Sequence, residues 1–145
     1  MKFVSHLLQA KGFDVWSISP DATVFTALER MAERNVGALL VVDHSGLVGV
    51  ISERDCTRKV DIKGKTAKNT PVREIMSDRL VYVNPGQTID DCMKLMTEKR
   101  IRHLPVIGEG RVIGVLSIGD VVKAIITDKD NAIEQLENYL WRKSG

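Results

Sequence analysis

The chain has 145 residues, 43% of them hydrophobic and 28% charged, with 21 Lys and Arg against 19 Asp and Glu for a net charge of +2. A chain of this length buries roughly 68–70% of its unfolded surface, enough for one domain without disulfide staples. The near-neutral balance and the lack of any block of like charge argue against nucleic-acid or membrane-surface binding driven by bulk electrostatics, and no apolar run approaches the ~20 residues of a membrane span.

The opening stretch MKFVSHLLQAKG places Ser5, His6, Gln9 and Lys11 among its apolar residues, so it lacks the uninterrupted core of a signal peptide and points to a cytoplasmic protein. An extended segment over Val15–Ile18 then meets a Pro-containing turn and a helix whose apolar face is Val24, Ala27, Leu28, Met31 and Ala32. Two β-branched runs follow, Ala38–Val42 and Leu47–Ile51, divided by the turn residues Asp43-His44-Ser45-Gly46. A second helix begins at Ser52, and the polar stretch DIKGKTAKNT reads as a linker.

The same grammar then returns. Val81–Val83 is extended, and a helix with the face Ile89, Cys92, Met93 and Met96 is announced by Thr88 and Asp91, a helix-start pair. Leu104–Ile107 and Val112–Leu116 are two more strands, split by Gly108-Glu109-Gly110, and Ser117 opens another helix. The tail from Asp128 reads as one further helix, with Ile133, Leu136 and Leu140 at helical spacing beside Tyr139 and Trp141. That stripe covers either the protein's own core or a partner copy. Cys56 and Cys92 fall inside periodic segments, not at metal-site or disulfide spacings, and read as small buried hydrophobes in a reducing compartment.

Shifted by 65 residues, Ile18–Val60 aligns with Val83–Ile125 without a gap, pairing Pro20 with Pro85, Thr23 with Thr88, Gly49 with Gly114, Ser52 with Ser117 and Asp55 with Asp120. Such a match signals duplication. Upstream the shift becomes 68, matching Val4, Leu7 and Leu8 to Val72, Ile75 and Met76. The expected organisation is a first β-α-β-β-α motif over residues 1–60, a linker over 61–70, a second motif over 71–127 and a C-terminal helix over 128–145. The fold class is α/β, with two motifs whose sheets pack about a pseudo-twofold axis, because one unit alone leaves a sheet face bare.

Both copies end an apolar strand on Ser-x-x-Asp, GVISERD at 49–55 and GVLSIGD at 114–120. Two functions fit that pattern. It is a capping box, in which the side chains satisfy backbone donors at a helix start. It also fits, less strongly on spacing alone, a ribose-phosphate grip, in which a serine hydroxyl donates to a phosphate and an aspartate accepts from vicinal sugar hydroxyls beside a helix N-terminus.

The segments VGALLVV (36–42), SERD (52–55) followed by Arg58-Lys59-Val60, PVREIM (71–76), RHLPV (102–106) and SIGDVVK (117–123) together resemble a tandem pair of cystathionine-β-synthase (CBS) domains, the Bateman module, and in particular stand-alone bacterial proteins made of little else. The resemblance spans about residues 3 to 127. It implies two clefts for adenosine-containing ligands: AMP, ADP, ATP or a dinucleotide such as NAD(H), with S-adenosylmethionine a weaker expectation. By matching positions, the ribose carboxylates are Asp55 and Asp120, and the phosphate side holds Ser52, Arg54, Ser117, Arg102 and His103. The adenine pockets are expected among Ile18, Val36, Gly37, Ala38, Ile51, Val83, Ile101 and Leu116. The copies differ where Arg102-His103 replaces Gly37-Ala38 and Gly119 replaces Arg54, so the clefts are expected to differ in affinity or ligand.

No nucleophile elbow, P-loop, metal-ligand cluster or paired-carboxylate signature is present, so neither catalysis nor a catalytic cofactor or metal is expected. The expected function is a regulatory adenine-nucleotide sensor that signals through a separate, unidentified protein partner and forms a homodimer. The alternative is a ligand-free dimeric interaction scaffold. The expected dimer contacts are the helices around Val24–Met31 and Ile89–Met96 together with the tail.

Overall fold

A computed structural model describes the backbone of residues 2–144 and the side chains through Tyr139; the side chains of Leu140 and Trp141, part of the expected tail stripe, lie outside the described residues. In chain order the elements are α1 (Val4–Lys11), β1 (Ser17–Ile18), α2 (Val24–Arg34), β2 (Ala38–Asp43), β3 (Gly46–Ser52), α3 (Glu53–Cys56), α4 (Val72–Ile75), α5 (Ile89–Lys99), β4 (His103–Gly108), β5 (Arg111–Ser117) and α6 (Ile118–Ser144). The fold is the mixed helix-and-sheet repeat that the sequence pattern implies; the four longer strands run one residue past the apolar runs at one or both ends, and β1 is two residues shorter than the expected Val15–Ile18.

Residues Asp14–Val81 form one compact unit, and the chain up to Phe13 together with Tyr82 onward forms the other. In the first unit β1 runs parallel to β2, with Ser17 opposite Leu40, and β2 pairs antiparallel with β3. The apolar face of α2 closes over this sheet: Val24, Ala27 and Met31 join Leu39, Val41 and Ile51 in the core, whereas Ala32, expected on that face, is exposed. Thr23 caps α2 by accepting from the Thr26 N–H, and Asn35 ends it in the left-handed region at φ +54°. The second unit repeats these devices. Thr88 and Asp91 form the expected capping box on α5, whose buried face is Ile89, Cys92 and Met96, and Arg100 ends it at φ +54°.

One strand is cut short for a covalent reason. In the first unit the Leu40 N–H donates to the Trp16 carbonyl at 3.0 Å. The equivalent of Leu40 is Pro105, which has no N–H to give. The expected strand Val81–Val83 therefore survives only as a single parallel bridge between Val83 and Val106.

The units do not follow the expected motif boundaries, because the two leading segments are exchanged. Residues 1–13, expected with the first copy, pack within the unit of the second, and residues 71–81 pack within the unit of the first. The two dockings match bond for bond. Val72 N donates to Ala22 O at 2.8 Å and Arg73 N to Pro20 O at 3.0 Å. Correspondingly, Val4 N donates to Gln87 O at 2.8 Å and Ser5 N to Pro85 O at 3.1 Å. Two equivalent glycines admit these segments. A Cβ on Gly49 would stand 2.8 Å from both Met76 Sδ and Ser77 O, and one on Gly114 would stand 2.5 Å from Leu8 Cδ2.

The helices after the Ser-x-x-Asp turns diverge. After α3 the first copy widens into a π-helical turn, Thr57–Asp61, in which Ile62 N reaches back to Thr57 O. In the second copy α6 runs 27 residues without a break, so the tail expected as a separate helix from Asp128 is its continuation. The linker region contributes a short 3-10 turn, Ala67–Asn69, and ends on Thr70, which is buried and donates from its hydroxyl to Thr66 O at 2.7 Å.

Leu8→Ala removes a side chain only 1% exposed and should cost about 2–5 kcal/mol. Hydrogen exchange should show the loss of protection in residues 82–127 and leave 14–60 protected; the reverse map would contradict the exchange of leading segments. Gly49→Ala should cost about 1–3 kcal/mol in urea unfolding. The Ser77 carbonyl is held by a backbone bond from Val50 N at 3.0 Å and cannot withdraw from the added methyl. Gly114→Ala, which presses only on the Leu8 side chain, should cost less.

Candidate functional site

Each Ser-x-x-Asp turn begins where a strand runs out. Ser52 leaves β3 in extended geometry, φ −122° and ψ 164°, and its hydroxyl oxygen accepts from the Asp55 N–H at 3.2 Å. Asp55 Oδ2 answers by accepting from Ser52 N at 3.0 Å and from the Ser52 hydroxyl at 3.1 Å. In the second copy Ser117 Oγ accepts from Asp120 N at 3.1 Å, and Asp120 Oδ2 accepts from Ser117 N at 2.8 Å. Both capping boxes read from the sequence are formed. They fix two carboxylates at strand ends to within a rotamer.

The backbone ties each turn to the residue that leads into the neighbouring strand. Glu53 N donates to Gly37 O at 3.0 Å, and at the matching place Ile118 N donates to Arg102 O at 2.8 Å. His103 lies directly opposite Ser117 in the β4–β5 ladder, as Ala38 lies opposite Ser52. Arg102, His103, Ser117 and Asp120 therefore gather at one edge of one unit, and Gly37, Ala38, Ser52, Arg54 and Asp55 at the matching edge of the other. Arg102 and Arg54 are exposed and His103 is half-buried.

The expected adenine residues divide in two. Ile18, Ile51, Val83 and Leu116 are at most 3% exposed and sit in the interiors of their own units. Val36, Gly37, Ala38 and Ile101 are only half-buried and keep surface beside the turns. Val36 and Ile101 are held there by bonds from their N–H groups to Met31 O at 3.0 Å and Met96 O at 3.1 Å, which close the left-handed helix ends.

Two lysines join the site that the motif reading did not assign to it. Lys59, one helical turn after Asp55, sets its ammonium 3.2 Å from Asp55 Oδ1 and donates to Ile75 O at 3.0 Å. Lys11, at the end of α1, sets its ammonium 2.6 Å from Asp120 Oδ2 and also donates to Val115 O. Burial acts to raise the Asp120 carboxyl, but the hydrogen bond from Lys11 and those from Ser117, with the lysine's charge, outweigh it and hold the group below the usual carboxylate range. Lys59 has a signal in the sequence, its i,i+4 spacing from Asp55. Lys11 has none, being 109 positions from its partner.

Among the described residues no cluster of three His, Cys, Asp or Glu could hold a metal ion, and no helix is long and apolar enough to cross a membrane. Cys56 and Cys92 are buried free thiols. Burial, with help from neighbouring carboxylates (Asp55, Asp61 and Glu53 for Cys56, Asp91 for Cys92), pushes both up to about 11, far from a reactive thiolate at neutral pH.

The sequence profile of the CBS domain matches residues 10–61 and again residues 72–127. The chain is 37% identical over 147 residues to the CBS domain-containing protein CBSX3, mitochondrial, of Arabidopsis thaliana, a match that covers 94% of this chain and 71% of that protein. Among solved structures, the CBS domain NE2398 is 52% identical with a TM-score of 0.82, over 86% of this chain and 98% of that one. The CBS domain pair of protein MJ0100, solved in complex with 5′-methylthioadenosine and S-adenosyl-L-methionine, shares the fold at a TM-score of 0.76 and 20% identity, over 88% and 98% of the two chains. The chain therefore belongs to the CBS domain family and carries the domain twice.

Proposed function

We propose that the chain is a regulatory sensor that binds an adenosine-containing nucleotide, AMP, ADP, ATP or NAD(H), at Asp55 and Asp120 and signals through a separate protein. One observation carries the reading: the caps do not exhaust the carboxylates. A capping box asks a carboxylate for one backbone bond, yet Asp55 and Asp120 stay 19% and 26% exposed, and Asp55 is also ion-paired to Lys59 while Asp120 also accepts from Lys11. Acceptor capacity beyond the cap is what a sugar diol requires.

Charge favours phosphates over other adenosine ligands. At the second copy the Lys11 charge is already met by Asp120, and Arg102 brings a permanent cation to the edge that carries Ser117 and Asp120, with His103 beside it. That setting suits a nucleotide and opposes the sulfonium of S-adenosylmethionine. The MJ0100 pair, which shares this fold, is bound to methylthioadenosine and S-adenosylmethionine, both adenosine compounds. At the first copy Gly37 and Ala38 replace the Arg-His pair, so we assign that edge a weaker hold on phosphate. Buried free thiols fit a reducing compartment such as the cytoplasm. We assign no catalytic step to the chain.

A specific observation also favours self-association through the tail. Val24, Met31, Ile89 and Met96 are buried within their own units, so any contact through α2 and α5 would use the outer faces of those helices. Along α6, however, Ile126, Ile133, Leu136 and Tyr139 are 54%, 55%, 63% and 54% exposed, a run of large apolar groups well beyond what an isolated helix face needs. A homodimer is the natural cover for it.

Thermal melts with AMP, ATP, NAD, NADH and S-adenosylmethionine test the sensor. A ligand at 100 times its Kd should add about 2.7 kcal/mol of stability. Asp55→Asn and Asp120→Asn should each remove part of the gain. No shift with any of the five, or a shift that both variants keep, would favour the dimeric scaffold instead. Sedimentation should give a dimer that Leu136→Glu dissociates; a monomeric wild type would refute the tail interface.

A further inference from the structure

We infer that Lys11 and Lys59 are latches that couple occupancy of the two aspartates to the exchanged leading helices α1 and α4, an inference that rests on the reading of Asp55 and Asp120 as ligand carboxylates. The two lysines are not related by the repeat. Under the 65-residue shift Lys59 falls on Ala124, and under the 68-residue shift Lys11 falls on Arg79. Yet both make the same link. In the first unit, Lys59 on the helix side bridges Asp55 to the Ile75 carbonyl of α4. In the second, Lys11 on the leading helix reaches the other way and bridges to Asp120 and to the Val115 carbonyl of β5. Two unrelated positions supply one ammonium bridge between a Ser-x-x-Asp carboxylate and the segment borrowed from the other end of the repeat.

The bridge sits where it can respond. The N-terminal end of α1 is secured by backbone bonds to Pro85 and Gln87, and its middle by Leu8 pressed against Gly114. Its last turn is secured by the Lys11 ammonium. Beyond it Gly12 turns at φ +109° and Phe13 stands 57% exposed, the last residue before the chain passes to the other unit. Asp120 Oδ2 already accepts from Ser117 N and from Lys11. A vicinal diol that spans both carboxylate oxygens reaches Oδ2 and meets the ammonium there, so ligand and latch compete for that oxygen. Each ligand then weakens the hold on one leading helix, and by linkage a loosened helix raises affinity for the ligand.

Hydrogen exchange measured with AMP, ATP and NADH as probes tests this on the intact protein. Without ligand, Asp120→Asn should speed exchange across residues 9–13, and Asp55→Asn across 75–79. A saturating nucleotide should do the same in the wild type. In Lys11→Met, which keeps the apolar stem, exchange at 9–13 should already be fast and indifferent to ligand, while the response at 75–79 persists; Lys59→Met should show the converse. Release of a partly exposed ion pair should tighten nucleotide binding by about two- to fivefold in the affected copy. Unchanged exchange at 9–13 in Asp120→Asn overturns the latch whether or not a nucleotide binds. Nucleotide binding that depends on Asp120 but leaves 9–13 unmoved overturns the coupling and spares the sensor. Failure of all three nucleotides to bind overturns both.

Discussion

A carboxylate has about four acceptor sites, and a helix cap takes one or two of them. That surplus governs how this molecule can work. At the end of β3 and again at the end of β5, the serine oxygen accepts from an amide three residues on while the aspartate accepts from the serine's own amide. These reciprocal bonds cost the carboxylate little of its capacity and hold it in one place. Part of the remainder faces an ammonium in each copy. Structural and ligand-binding readings of Ser-x-x-Asp are therefore not exclusive: the cap holds the group in place, and the proposed ligand draws on the acceptor capacity left over.

The exchange of leading segments follows from an unmet need. The stretches VSHLL and VREIM each carry an apolar face too short to stand alone, and each repeat has a strand with a glycine, Gly49 or Gly114, where a side chain can lie against bare backbone. Val4, Leu8, Val72 and Ile75 become fully buried as a result. Because the chain must leave one unit to complete the other, the connections near Phe13 and Val81 run directly from a docked leading segment into the opposite copy.

Much of this was legible in the residues. Period and turn chemistry located α2, α5 and all four longer strands, and Ser-x-x-Asp located both caps. The misses have physical causes. VSHLL and VREIM share one apolar pattern, so the pattern states that each needs a partner and is silent on which copy provides it. Val81–Val83 looks as extended as Val15–Ile18, but the missing N–H of Pro105 lies 22 positions beyond Val83 and takes effect only once the strands are paired. The end of the repeat suggests a break before the tail, but nothing between Asp120 and Ser144 is a glycine or proline that would stop a helix. Lys11 was out of reach because an ion pair across the chain leaves no period.

The central claim is that the carboxylates of Asp55 and Asp120 hold sugar hydroxyls, and a crystal structure of the protein grown with AMP measures it directly. The account predicts ribose oxygens about 2.5–3.0 Å from a carboxylate oxygen of Asp55 or Asp120, with the capping bonds from the serine amide kept. Ribose bound elsewhere, or both carboxylates bonded only to their own turns and lysines while AMP is in excess, would contradict it.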